Sequence, residues 1–283
     1  RMSTGIQRAA SPQLLGTLES LPLLNESLLG MIRTQTPLPK ILDVLCTHIE
    51  QRQPGLHCSV LLLDADGTTL RHGAAPSLPA EYSRLVDGVK IGPCAGSCGT
   101  AAYRKQSVVV SDIATDPLWA NCRHLALPHG LRACWSSPIA SQDGKVLGTF
   151  AVYYCEPRTP DAEHVQLVAH ATHLAGIAIE HDRAKAELRA AEARYRTLVE
   201  RLPAITYIAE LGAGGPWHYV SPQIETMLGF TPAEWLSDPM NWMNHIYPED
   251  REIALAAENL FQQTHDLFQA EYRMCANDGR VLW

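Results

Sequence analysis

Two Asp-Gly pairs, Asp66-Gly67 and Asp143-Gly144, each separate two apolar runs of strand length, and they constrain the fold more than any other feature. Asp-Gly readily adopts the positive-φ turn that reverses a strand within two residues. The first pair joins residues 58–64 to 70–73, and the second joins 131–139 to 146–154. Both pairings are therefore expected to be antiparallel hairpins. Residues 89–91 and the β-branched 107–111 add two further strands. Helical patterns alternate with them. Residues 23–33 are Leu-rich, and Thr36-Pro37-Leu38-Pro39 opens a helix with the apolar face Ile41, Val44, Leu45 and Ile49, ended by Pro54-Gly55. Shorter helices are expected at 79–85 and 100–103. A long one starts near Pro160, with Thr159 as N-cap and Glu163 in its first turn. The order predicts an α+β domain, an antiparallel sheet with helices packed mainly on one face.

A chain of 283 residues, 46% of them apolar, suits two domains of roughly 100–150 residues. Between them Leu174, Ile177, His181, Ala184, Leu188, Ala191, Tyr195 and Leu198 recur in steps of three and four. That is the heptad seam of a parallel helix pair, here set in a charged, Ala-rich surface. Two Ala and a His weaken it, which suits a helix that shifts register. One solvated helix held by local charge pairs is the alternative. Leu14, Leu18, Leu21, Asn25, Leu28 and Ile32 repeat the spacing near the N-terminus, where Pro22 breaks it. A single amphipathic helix covering a core fits those positions equally well.

Net charge is −7 and no basic stripe occurs, so nucleic-acid binding is not expected. No apolar run approaches the ~18 residues of a membrane span, and residues 1–10 lack a signal-peptide pattern. These features predict a cytoplasmic module. The eight cysteines include no Cys-x-x-Cys pair, which predicts reduced thiols and no zinc site.

The motifs at 91–102 (IGPCAGSCGTAA), 110–113 (VSDI), 130–139 (GLRACWSSPI) and 146–154 (VLGTFAVYY) resemble those of a GAF domain. The resemblance spans about 145 residues and points to the variant found in bacterial sensor kinases and cyclic-di-GMP enzymes. It implies a sheet with a small-molecule pocket on one face and a dimer bundle of helices on the other. It also implies a pocket set of Ser97, Cys98, Thr100, Asp112, Trp119, His129, Arg132, Cys134, Trp135 and Ser136. Residues 96–100 are small and sit at a helix start, an arrangement suited to an anion or polar ligand. Each position also has a structural reading: Ser97 and Thr100 as caps, Trp119 and Trp135 as core, His129 as a bonded loop residue.

Residues 192–209, 217–235 (WHYVSPQIETMLGFTPAEW) and 245–251 (HIYPEDR) resemble a PAS domain. A strand at 268–274, a turn at Asn277-Asp278-Gly279 and a strand begun at 280–283 leave its sheet incomplete. The expected organisation is an N-terminal signalling helix (1–36), a GAF domain (37–182), a coiled-coil linker (183–200) and a PAS domain (201–283).

Residues 120–125 (ANCRHL) partly resemble the flavin-adduct motif of LOV photoreceptors, but they fall in the GAF half, and the PAS half has no cysteine at 223–247. A haem ligand in the PAS half lacks support, because residues 249–264 contain no His. Cys98 and Cys122 are spaced as in GAF-fold reductases of free methionine-R-sulfoxide, in which one thiol attacks and another resolves. Residues 148–154 replace the acidic substrate residues of that family. The expected function is a homodimeric sensory module, joined through its N-terminal and linker helices. It would detect a small ligand or redox signal and relay it to a histidine kinase or cyclic-di-GMP enzyme domain. No cofactor and no catalysis are expected in these residues; the thiol redox enzyme is the alternative.

Overall fold

The computed structural model describes residues 24–210, 215–264 and 269–283. Leu14, Leu18 and Leu21 of the expected N-terminal seam lie outside them. The chain divides into two compact units after Ala186.

The first unit begins with helices α1 (residues 24–33) and α2 (Leu38–Glu50). Strands β1 (His57–Leu63) and β2 (Thr69–Ala74) form the first hairpin. Its Asp66 accepts from the N–H groups of Thr68 at 2.8 Å and Thr69 at 2.9 Å, while Gly67 supplies the left-handed φ of 68°. Then come α3 (Ala80–Val86), β3 (Val89–Lys90), α4 (Gly96–Arg104), β4 (Val108–Val110) and α5 (Arg123–Ala126). The second hairpin, β5 (Ala133–Ala140) and β6 (Val146–Tyr154), leads to the long α6 (Ala162–Arg201).

The strands make one six-stranded antiparallel sheet in the order β3-β2-β1-β6-β5-β4. At its centre β6 is buried along all nine residues. Period-two alternation sends Phe150, Val152 and Tyr154 to one face, against α1, α2 and α6, and Ala151 and Tyr153 to the other. The second face is covered by α3, α4 and α5, so helices sit on both faces rather than mainly on one. Strand β6 also passes very close to β1. A Cβ at Gly148 would lie 2.2 Å from the Leu61 carbonyl oxygen.

Two helix starts differ from expectation. α4 opens at Gly96, four residues earlier than the pattern 100–103, because its first turn is made of residues with no apolar periodicity. α6 is capped by Asp161 and not by Thr159: Oδ1 of Asp161 accepts from the His164 N–H at 2.9 Å and pairs with its Nδ1 at 2.7 Å. In α1, Leu24 and Leu28 are buried in the core, and Asn25 meets His170 Nε2 at 3.0 Å. Over residues 24–33 the amphipathic-helix reading describes the structure. The α6 seam divides: Leu174 is buried at 7% exposure, whereas Leu188, Tyr195 and Leu198 are 61%, 70% and 56% exposed.

The second unit contains β7 (Tyr207–Ala209), β8 (Trp217–Val220), α7 (Gln223–Leu228), α8 (Pro232–Leu236), α9 (Asn241–His245) and α10 (Arg251–Thr264). It ends in β9 (Met274–Cys275) and β10 (Val281–Leu282). Its core gathers Val220, Ile224, Leu228 and Trp235. Thr231 caps α8 in a reciprocal box with Glu234. The strand expected at 268–274 pairs only at Met274–Cys275 among the described residues, and β7–β8 and β9–β10 are separate two-stranded sheets. No helix among the described residues is long and apolar enough to cross a membrane.

Candidate functional site

The site lies in the first unit, where the start of α4 meets the β5–β6 side of the sheet. Two glycines allow the close approach. At Gly96, φ is 64°, and a Cβ would fall 3.4 Å from Cys122 Sγ and 3.5 Å from the Trp119 ring. At Gly99 a Cβ would lie 2.6 Å from that of Ala95. The helix has no side-chain N-cap; Thr100 Oγ1 instead accepts from the Ala95 N–H at 3.1 Å.

A cavity of about 150 Å³ opens beside this turn, lined by Leu61, Tyr82, Val86, Val89, Cys94, Ala95, Gly96, Ser97, Cys98, Gly99, Trp119, Asn121, Cys122, Leu125 and Tyr153. The lining contains no Lys, Arg, Asp or Glu. A space of that size holds a benzene-sized molecule.

Ser97 organises one wall. Its hydroxyl donates to the Cys134 carbonyl at 2.9 Å and accepts from Trp119 Nε1 at 3.0 Å. Both halves of that bridge are buried, so the indole N–H and the carbonyl are satisfied without water.

Cys98 projects beneath α4 toward the sheet and lies 3.8 Å from the Tyr153 hydroxyl. The Cys134 thiol on β5 is the largest influence holding Cys98 below the ordinary thiol value. Burial opposes the shift. The nearby hydroxyls of Ser136, Tyr153 and Thr149 also lower the Cys98 value, and those of Ser136 and Thr149 are buried with no hydrogen-bond partner among the described residues. Burial pushes the partner groups the other way: Cys134, Tyr153 and Tyr82 all lie well above their ordinary values, and Cys122 is raised as well. These surroundings favour the thiolate at Cys98 and the protonated form at Cys134, Tyr153 and Tyr82.

Of the residues expected in the pocket, Ser97, Cys98 and Trp119 line the cavity, together with Cys122. Cys134 and Ser136 lie beneath it, around the Cys98 sulfur. Thr100 acts within its own turn. Asp112 and Arg132 bind each other through a two-pronged ion pair at 3.0–3.1 Å. His129 packs on Tyr82 with ring centroids 5.8 Å apart. Trp135 lies on the opposite face of the sheet, because neighbouring strand residues alternate and Cys134 and Ser136 occupy the cavity side. There its indole donates to the Arg158 carbonyl at 3.2 Å and sits edge-on to His164. It borders a separate groove of about 430 Å³ between β4, β5 and α6.

Tyr82 and Tyr153 were not anticipated. Tyr153 is recoverable from strand alternation, since it faces the same way as Ala151. Tyr82 arrives from α3 and has no local signature. No group of three or more His, Cys, Asp or Glu among the described residues could hold a metal ion.

A curled antiparallel sheet with this cavity beneath α4 defines a GAF-type sensory domain, and the chain belongs to the GAF domain family, whose profile matches residues 35–180. A PAS-fold profile matches residues 218–283. Among curated proteins, the methyl sulfide methyltransferase-associated sensor of Methanosarcina acetivorans is 36% identical over 219 residues, which are 77% of this chain and 22% of that one. The chain thus spans only 22% of that relative's length. Among solved structures, the GAF domain of a phosphoenolpyruvate-protein phosphotransferase from Coxiella burnetii is 20% identical with a TM-score of 0.49, covering 62% of this chain and 99% of its own. The free methionine-R-sulfoxide reductase of Neisseria meningitidis is 16% identical with a TM-score of 0.49, covering 64% and 98%.

Proposed function

We propose that these residues form a sensory module in which the state of the α4 cavity biases the packing of α6 against the same helix of a second copy. The output would be a histidine kinase or cyclic-di-GMP enzyme domain outside these residues, in the cytoplasm. The observation that carries this reading is the division of α6. Its first half packs on the sheet that floors the cavity, and its second half carries Leu188, Tyr195 and Leu198 exposed at seven- and three-residue spacing. Solvent-exposed apolar residues at heptad positions are best accounted for by a partner helix. The working boundaries are those of the sequence, with the GAF domain at 37–182 and the linker at 183–200.

The uncharged lining favours a small neutral ligand over the anion that the helix start alone would favour. The thiol-enzyme alternative is not favoured, because strand β6 brings no carboxylate to the cavity. The deciding experiment is sedimentation velocity over a wide concentration range. A dimer that dissociates in the double variant Leu188→Glu, Leu198→Glu supports the reading. A chain that stays monomeric at every concentration overturns it.

A further inference from the structure

Two thiols of the site, Cys98 and Cys134, come from different elements and meet in the protein interior. Cys134 lies on β5 directly opposite Tyr153 of β6, and Cys98 reaches down from α4 to within 3.8 Å of that same tyrosine hydroxyl. The neighbouring Ser97 ties α4 to the Cys134 carbonyl at 2.9 Å, which fixes the helix over the strand at this point. Both side chains are buried in the same core cluster, against Ala101, Val110 and Tyr153. Cys122, the partner expected from the sequence, lines the same cavity, at its wall against Gly96 and Trp119.

Access is also built in. Cys98 is 8% exposed and that exposure opens into the cavity, whereas Cys134 is fully buried behind it. A molecule the size of a hydroperoxide can enter past the exposed Cys94 and Asn121 and meets Cys98 first. The order of attack is therefore set by depth.

We propose that Cys98 and Cys134 form a hydroperoxide-responsive dithiol, with Cys98 as the sulfur attacked and Cys134 as the one that resolves it. In the first step the Cys98 thiolate attacks the distal peroxide oxygen. An S–O bond forms, the O–O bond breaks, and the alcohol leaves after taking one proton, so sulfur is oxidised and peroxide reduced. In the second step the Cys134 sulfur attacks the Cys98 sulfenic acid. The S–S bond forms, the S–O bond breaks, and hydroxide leaves as water with the Cys134 proton. Tyr153 and the buried, unpartnered hydroxyls of Ser136 and Thr149 lie near the reacting sulfur and can donate to it. The product bond, about 2 Å long, draws the start of α4 onto β5. This deepens the sensory reading by naming an oxidant class for the same cavity, and it rests on that reading only for its consequence in α6.

The test is peptide mapping of the whole chain after treatment with hydrogen peroxide or cumene hydroperoxide, alkylation of remaining thiols and tryptic digestion. The expected product is residues 91–104 linked to residues 133–145, with fragmentation placing the bond at Cys98 and not Cys94. The link should survive in Cys94→Ser and Cys122→Ser. In Cys134→Ser it should vanish, and Cys98 should be trapped by dimedone as the sulfenic acid. Cys46 and Cys58, whose thiols burial pushes well up, serve as internal controls that stay reduced. A bond from Cys98 to Cys122, or a Cys98 that oxidises no faster than those controls, overturns the proposal. The wild-type map needs no variant to fold. It is also independent of oligomeric state, so failure of the thiol chemistry and failure of the α6 relay are separately visible.

Discussion

The guanidinium of Arg183 donates to the carbonyl oxygen of Leu63, 2.6 Å away, at the end of β1. A second bond, 3.2 Å long, reaches the Leu147 carbonyl at the start of β6. Leu61, two residues before this clasp, lines the cavity. Among the described residues, Arg183 is thus the last side chain of α6 hydrogen-bonded to the strands that carry the site. Arg183→Ala should destabilise the first unit by about 1 kcal/mol, a charged hydrogen bond discounted for partial exposure. Hydrogen exchange should quicken in the turn of α6 around residue 183 and not at residues 167–175. Unchanged protection there would remove Arg183 from any part in coupling.

Ser97 is expected to be the most sensitive small residue of the cavity wall. Ser97→Ala leaves the Trp119 N–H and the Cys134 carbonyl buried without a partner, a loss of about 3 kcal/mol. Urea denaturation followed by tryptophan fluorescence measures it. A loss below 1 kcal/mol would mean that water replaces the hydroxyl.

Gly148 and Gly30 should respond to alanine in opposite senses. A methyl at Gly148 meets the Leu61 carbonyl at 2.2 Å, so the two central strands must part, and expression should yield little soluble protein. A methyl at Gly30 meets nothing within 4 Å, and that residue lies inside α1. Gly30→Ala should raise stability by about 1 kcal/mol.

The Asp112–Arg132 pair gives the acid limb of the stability profile a definite sign. Hydrogen bonds from Arg132, followed by the Ala114 N–H, hold the Asp112 carboxyl below its ordinary value of 3.8. A carboxyl depressed in the folded state contributes stability above its unfolded value and loses it as pH falls through the folded one. Asp112→Asn should therefore lower the urea midpoint at neutral pH. The two proteins should converge once the medium is acidic enough to protonate the wild-type carboxylate. A gap that persists unchanged in acid would trace the effect to something other than charge.

Thiol titration tests the donor cradle around Cys98. Its alkylation rate should reach half-maximum below the ordinary thiol value of 9.0, and Cys134→Ala should move that midpoint upward. Tyr153→Phe should do the same to a smaller extent, because it removes one donor and leaves the others. A midpoint that neither change shifts would mean that the neighbouring hydrogen bonds do not set the reactivity.

The hairpins were legible because Asp-Gly and strand alternation are local signals: 146–154 was read to the residue. The start of α4 was not, since Gly96, Ser97 and Gly99 carry no periodicity and earn their place by close approach to Trp119, Cys122 and Ala95. Trp135 illustrates a different limit. The motif at 130–139 marks a functional strand, but only its register decides that Cys134 and Ser136 face the cavity while Trp135 faces α6. Tyr82 and the meeting of Cys98 with Cys134 depend on tertiary packing across long sequence separations, which no window of residues contains.

The sheet tapers outward, from nine residues in β6 to two in β3 at one border and three in β4 at the other. A bare border offers its unpaired amides to any passing extended chain, and so short a border offers almost none. Copies of this unit are consequently poor templates for fibre growth.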